Sequence, residues 1–216
     1  MVKYILFDLD GTLTDPEEGI TKCVSHALSH FGIEREPGEL TEFIGPPLKE
    51  HFMQYASLSD EDGKRAVEFY RQRYAPIGIF ENRIYDGIID MLNALKAQGK
   101  VLAVATSKPT VYARQICDRF GISPYIEFVS GSELDGTNTN KADVIKIAME
   151  KLGADEDNTV MVGDRVHDLL GAQKNGIRFV GVGFGYAKEG ELDSALHVAA
   201  SPRELYDILA DMEGEV

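Results

Sequence analysis

Two acids in the stretch Phe7-Asp8-Leu9-Asp10-Gly11-Thr12-Leu13-Thr14 stand two residues apart where an apolar run stops. A carboxylate can attack phosphorus to form an aspartyl phosphate, dividing one difficult displacement into two easier ones. A second acid beside it can protonate the leaving oxygen and then deprotonate the attacking water. Asp8 is the candidate nucleophile and Asp10 the candidate acid and base. Gly11 and Thr12 offer turn amides and a hydroxyl to phosphate oxygens. As a bare tetrapeptide, Asp-x-Asp-Gly is also an ordinary polar turn, so the reading depends on what else the chain supplies.

Three later segments supply groups of the same kind. Val104-Ala105-Thr106-Ser107-Lys108-Pro109 brings two hydroxyls to the end of an apolar run, just before a proline that can open a helix. A hydroxyl and the free amides of a helix N-terminus make a phosphate site, although Thr106 or Ser107 could equally cap that helix. Lys108 beside them reads as the weaker candidate, a solvated loop lysine. Lys141 follows the polar stretch Gly136-Thr137-Asn138-Thr139-Asn140 and opens a helix. A cation there opposes the helix dipole and asks for a compensating anion, which Asp8 and a phosphoryl group would provide. Met161-Val162-Gly163-Asp164-Arg165-Val166-His167-Asp168 again places acids after an apolar run. Asp164 and Asp168, one helical turn apart, can converge on a hard cation such as magnesium, which takes one or two carboxylates and keeps several waters. The same two acids also suit a helix cap and a first-turn position.

Tyr4-Ile5-Leu6-Phe7 reads as a strand buried on both faces. After Pro16 the spacing changes: Ile20, Val24, Ala27, Leu28 and Phe31 predict a helix ending before Gly32, with further helices over Pro37–Phe43, Pro47–Tyr55 and Ser59–Tyr74. From Tyr85 onward helices and strands alternate. The expected strands are Val101–Ala105, Ile126–Val129, Thr159–Val162 and Phe179–Val182. The expected helices are Gly87–Ala97, Thr110–Phe120, Lys141–Leu152, His167–Asn175 and Pro202–Ala210. This alternation predicts an α/β fold, a Rossmann-like doubly wound parallel sheet with helices on both faces. Residues 1–15 and 81–216 would form that catalytic core and residues 16–80 an inserted all-helical cap, hinged at Thr14–Glu17 and Phe80–Tyr85. The four segments would then lie together at the carboxyl edge of the sheet, where open α/β sheets bind ligands. Gly181-Val182-Gly183-Phe184-Gly185 lacks the helix of a dinucleotide fingerprint and reads as a loop after the last strand. Glu-Gly-Glu-Val at 213–216 reads as a frayed tail.

The 216 residues suffice for a full core, and 44% hydrophobic with 27% charged residues is ordinary for a globular chain. A net charge of −14 argues against nucleic-acid polymers and anionic membranes as partners. It leaves room for a small anion where a cation and a few lysines reverse the local potential. Cys23 and Cys117 show no metal or redox spacing and read as buried free thiols. No basic-then-apolar leader and no stretch of about 20 apolar residues is present, so a cytoplasmic setting is the expectation. Nothing in the sequence selects an oligomeric state.

The four segments, in this order, resemble the motifs of the haloacid dehalogenase superfamily of phosphohydrolases over essentially the whole chain. The resemblance implies Asp8 as nucleophile, Asp10 as acid and base, and Thr106 and Lys141 on the phosphate. It further implies Mg2+ held by Asp8, the Asp10 carbonyl and Asp164, with Asp168 in the surrounding acid network. Dehalogenase members lack an acid at the position of Asp10, so its presence favours phosphate transfer. Phosphonate hydrolysis by relatives uses a cap lysine, for which Lys22 and Lys49 are available without a supporting motif. Within the superfamily the chain is similar to the phosphoglycolate-phosphatase-like group. Gly11-Thr12-Leu13-Thr14-Asp15 and Phe43-Ile44-Gly45-Pro46-Pro47-Leu48 look closest to its bacterial 5′-nucleotidase-like branch. The second phrase puts Lys49 beside the expected substrate loop of the cap. The expectation is therefore a magnesium-dependent phosphatase of a small phosphorylated metabolite, first a nucleoside 5′-monophosphate, with the cap excluding water during turnover. Alternatives are phosphoglycolate as substrate, a sugar phosphomutase, and a non-enzymatic phosphate-binding scaffold.

Overall fold

A computed structural model describes residues 2–212. The tail expected to fray at 213–216 lies outside the described residues. The chain separates into two compact units, Met1–Thr14 with Ile84–Val216, and Asp15–Arg83.

The larger unit is an α/β layer structure. Its strands are β1 (Tyr4–Phe7), β4 (Val101–Pro109), β5 (Ile126–Ser132), β6 (Thr159–Gly163), β7 (Arg178–Val182) and β8 (His197–Ala199). They form one sheet in the order β5-β4-β1-β6-β7-β8, every pairing parallel. Counted along the chain within this sheet, that order is 3-2-1-4-5-6, the Rossmann arrangement, whose switch point lies between β1 and β6. Helices α4 (Ile88–Ala97), α5 (Thr110–Arg119), α6 (Lys141–Leu152), α7 (Val166–Lys174) and α8 (Pro202–Asp211) connect and follow these strands. Leu6, Ala103, Ala105, Met161 and Phe179 point to one face, where Val144, Ile145, Ala148, Leu169 and Ala172 of α6 and α7 pack on them. The residues alternating with them, Ile5, Phe7, Leu102, Val104, Val160, Val162 and Val180, are fully buried too. With side chains alternating at period two, burial of both sets means that both faces are covered.

The smaller unit is helical apart from the ribbon at its ends. It holds α1 (Glu17–Ser29), α2 (Leu48–Ala56) and α3 (Asp60–Tyr74), closed on Val24, Leu28, Leu40, Phe43, Phe52, Tyr70 and Tyr74. The capping expected at Ser59 is present, its hydroxyl accepting from the Asp62 amide at 3.1 Å. Strands β2 (Thr14–Asp15) and β3 (Arg83–Ile84) form a two-stranded ribbon where the chain passes between units.

Four details depart from the sequence expectation. Pro37–Phe43 is not one helix but two 3-10 turns, Pro37–Glu39 and Thr41–Phe43. Seven residues containing Gly38 cannot repay helix nucleation. Strand β4 continues past Ala105 to Pro109, because β5 keeps pairing with it as far as Ser132. Strand β8 was not expected at all. Its residues His197 and Val198 are exposed, so an edge strand with little buried surface carries no apolar run to announce it. The glycine-rich stretch consequently does not follow the last strand: Gly181 and Val182 belong to β7, and β8 comes after.

Candidate active site

The carboxyl ends of β1 and β6 flank the switch point and carry the acids. Asp8 follows β1, and its amide donates to the Val162 carbonyl of β6 at 2.8 Å, which ties the two strand ends together. Asp164 follows β6, and Asp168 sits in the first turn of α7. Ligand oxygens of Asp8, Asp164 and Asp168 all lie within 4.8 Å of one another, and all three residues are buried.

Burial takes the hydration away from these carboxylates, and each raises the cost of ionising the next. Asp164 is pushed well above the usual carboxylate range by burial first, then by Asp168 and Asp8, while the Tyr186 amide pulls the other way. Burial also raises Asp168, against the opposing pull of Lys141, to about 6. Asp10 is raised by burial, with Lys108 counteracting.

Lys141 answers this charge. As the first residue of α6 it places its ammonium 2.7 Å from Asp8 Oδ1 and 2.8 Å from Asp168 Oδ1, and it donates to the Ala105 carbonyl at 3.2 Å. Burial presses the ammonium toward neutrality, but Asp168 and Asp8 outweigh burial and keep its pKa raised. The two carboxylate oxygens meet it as ion pairs without an aligned hydrogen bond. The compensating anion that a helix-opening cation demands is thus the acid cluster itself.

Asp168 takes the first-turn position expected of it and adds a contact to Lys141. Its Oδ2 accepts from the Arg165 amide at 3.0 Å, a cap of α7, while Oδ1 faces Lys141. Asp164 is not the helix cap; Arg165 occupies that position.

The hydroxyl segment also resolves. The residue preceding α5 is Pro109, and no side chain caps that helix. Thr106 is buried and its hydroxyl oxygen accepts from the Lys108 amide at 3.3 Å, while Ser107 offers its carbonyl to the Ser132 hydroxyl at 2.8 Å. Gly11 and Thr12, expected to give donors to phosphate, use them to close the turn after β1. The Gly11 amide donates to Thr14 O and the Thr12 amide to Leu9 O, and the Thr12 hydroxyl reaches Asp164 Oδ1 at 3.4 Å. Packing of the turn against Asp164 is the reason. Gly11 has φ of +80°, and a Cβ there would come within 2.1 Å of Asp164 Oδ2, so only glycine fits.

Lys49 lies in the helical unit, where its ammonium pairs with Asp60. Lys22, also in that unit, pairs with Glu18 at 2.6 Å and Glu81 at 3.2 Å.

Three contributors escaped the sequence reading. Lys108 is no solvated lysine: its ammonium lies 2.6 Å from Asp10 Oδ2, and the two side chains are only 6% and 11% exposed. Tyr186 donates its amide to Asp164 Oδ2 at 2.8 Å, and a Cβ on the neighbouring Gly185 would come within 2.3 Å of Gly11 O. Arg165 is buried and grips Glu191 through Nε at 2.9 Å and through Nη2 at 3.2 Å, tying the stretch after β7 to the start of α7. The run of glycines after β7 was the available signal, since it permits close backbone approach.

The donor set fits a divalent cation. Three buried carboxylates, all hard oxygen donors, lie within 4.8 Å of one another, and burial together with the neighbouring carboxylates raises the pKa values of Asp164 and Asp168, a cost that a cation would relieve. Asp8 and Asp164, with Asp168 behind them, are the residues that would hold it. No helix among the described residues is long and apolar enough to cross a membrane.

Comparison with known proteins gives consistent results. The sequence profile of the haloacid dehalogenase-like hydrolases matches residues 5–182. A Pseudomonas aeruginosa protein named 5′-nucleotidase is 48% identical over 189 residues, covering 87% of this chain and 86% of its own length. The tyrosine-protein kinase PtkA of Mycobacterium tuberculosis is 38% identical over 213 residues, 98% of this chain and 72% of its own. A crystal structure of a predicted phosphatase from Clostridium acetobutylicum superposes with a TM-score of 0.96 at 42% identity, covering 98% of this chain and all of that one.

Proposed function

Given that this chain belongs to the haloacid dehalogenase-like hydrolases and is a phosphoric monoester hydrolase, we propose that it hydrolyses a nucleoside 5′-monophosphate through an aspartyl phosphate on Asp8. The observation that carries this reading is the meeting of Asp8, Lys141, Asp164 and Asp168 at the switch point, with Asp10 two residues beyond the nucleophile.

An Asp8 oxygen attacks phosphorus while the bond to the leaving oxygen breaks, and the proton held by Asp10 passes to that oxygen. Asp10 then takes a proton from water, whose oxygen attacks the same phosphorus, and the bond to Asp8 breaks. Free phosphate and the starting carboxylate result. Lys141 orients Asp8 through Oδ1 and holds Asp168 beside it. Mg2+ bound by Asp8, the Asp10 carbonyl and Asp164 would supply Lewis-acid stabilisation of the phosphoryl oxygens. Thr106 at the end of the regular part of β4 is the phosphate-side hydroxyl.

The nucleotide assignment draws support from the 5′-nucleotidase name of the Pseudomonas aeruginosa relative, which is 48% identical, and from the two sequence phrases of that branch. The test is phosphate release with Mg2+ across nucleoside monophosphates, phosphoglycolate, sugar phosphates, pyrophosphate and ATP with a tyrosine peptide. Fastest turnover of a nucleoside monophosphate is expected, together with loss of on the order of 10⁴-fold in kcat for folded Asp8→Asn. Preference for phosphoglycolate, an isomerised sugar phosphate, or phosphotyrosine formation would replace the substrate assignment. Activity retained in Asp8→Asn would remove the nucleophile.

A further inference from the structure

We propose that Lys108 is a positioning residue that holds one oxygen of Asp10 and thereby reserves the other for proton transfer to and from the leaving oxygen and water. The proposal rests on the acid and base role of Asp10 given above.

The chain arranges this contact by an irregularity. Between the pairs Ala105 with Ser130 and Pro109 with Ser132, strand β4 advances four residues while β5 advances two. Extra residues in one strand bend it and re-aim its side chains. The displaced stretch Thr106 to Lys108 is fixed from several sides. Thr106 Oγ1 accepts from the Lys108 amide at 3.3 Å, the Ser132 hydroxyl donates to Ser107 O at 2.8 Å, and the Thr110 hydroxyl donates to Ser132 O at 3.3 Å. Gly131 lies so close to the Lys108 carbonyl that a Cβ would come within 2.5 Å. The outcome is a lysine turned back onto the sheet end, its ammonium 2.6 Å from Asp10 Oδ2 and its side chain 6% exposed.

The other oxygen, Asp10 Oδ1, is buried and has no hydrogen-bond partner. A buried carboxylate oxygen without a donor is costly to leave so, and it is the oxygen that the Lys108 ion pair leaves uncommitted. Freed of Lys108, the Asp10 carboxyl can turn, and either oxygen can reach the substrate in a wrong geometry. Lys108 differs from Lys141, whose ammonium meets the nucleophile and Asp168 instead.

The test compares Lys108→Met and Lys108→Gln with the wild type on two substrates in Mg2+. One is the alkyl phosphomonoester that the wild type turns over fastest; the other is 4-nitrophenyl phosphate, whose phenolate leaves without a proton. For Lys108→Met on the alkyl ester, kcat falls about 10²-fold with KM nearly unchanged. On the aryl ester, rapid mixing shows a burst of about one equivalent of nitrophenolate followed by slow turnover, because only the second step still needs Asp10. Lys108→Gln, which keeps an N–H donor, recovers part of the lost kcat. It also serves if Lys108→Met does not fold.

A rise in KM on both substrates with kcat kept would make Lys108 a phosphate anchor and overturn the proposal. So would wild-type kinetics in both variants, or equal loss on both substrates without a burst in folded protein. Failure of the underlying reading is separately visible, as activity in Asp8→Asn, and would take the role of Lys108 down with it.

Discussion

Carboxylates at the sheet end and carboxylates in the helical unit are shifted in opposite directions. Asp10, Asp164 and Asp168 are raised by burial. Asp60 is lowered to about 2 by hydrogen bonds from Lys49 and then Lys64, and Glu81 is lowered first by its hydrogen bonds from Arg73. In the helical unit Asp60 and Glu81 each have two cations and remain partly exposed. At the sheet end Lys141 serves both Asp8 and Asp168 while Asp164 lies buried beside them, and the negative charge left over is what a bound cation would offset. The difference shows how a fold prepares a reactive centre: it withholds the partners and the water that an acid elsewhere would have.

The largest test of this contrast is Lys141→Met in EDTA. It leaves Asp8 and Asp168 buried without their ammonium, and a loss of about 3–5 kcal/mol in urea unfolding is expected, as for a buried pair broken on one side. Lys64→Met, at the exposed pair with Asp60, should leave the midpoint where it was. Equal behaviour of the two variants would erase the contrast.

Gly11→Ala comes next. It demands a left-handed backbone from alanine and drives a methyl into the Asp164 carboxylate, so about 1–3 kcal/mol of stability is lost, and thermal melting reads it. An unchanged melting temperature would mean that the turn can move off Asp164.

A smaller effect separates the two kinds of acid by sign. Asp168 binds its proton more tightly folded than unfolded, so its contribution to stability declines as pH rises from about 4 to about 6 in metal-free protein. The stability of wild type relative to Asp168→Asn should fall across that window by on the order of 1 kcal/mol per pH unit. Saturating Mg2+ should flatten the fall. Asp60 is lowered, so its contribution is present above pH 4 and disappears as pH falls toward 2. A rise for Asp168 over the same window would reverse the assignment of burial as the dominant cause.

The smallest expected effect is Asp60→Asn, which should leave phosphate release unchanged and lower the melting temperature only slightly, because an exposed pair is screened by water. A clear loss of activity there would mean that the charge balance of the helical unit matters to catalysis.

The sequence by itself carried the α/β alternation, the family resemblance, and the acids that follow β1 and β6. Each depends on local pattern: apolar runs for buried strands, a glycine where the chain must turn, acids where a run stops. Parallel pairing then brings such strand ends to one edge whatever lies between them. Tertiary structure alone decided which donors those acids meet. Lys108 reaches Asp10 only because β4 gains two residues against β5. Tyr186 reaches Asp164 from beyond β7, and Thr12 turns inward to the same carboxylate rather than outward to phosphate. Strand β8 had no apolar run to announce it, since it pairs at an exposed edge. Contacts of this kind join residues far apart in the chain through backbone irregularities of a few ångströms, and neither spacing nor composition encodes a displacement of that size.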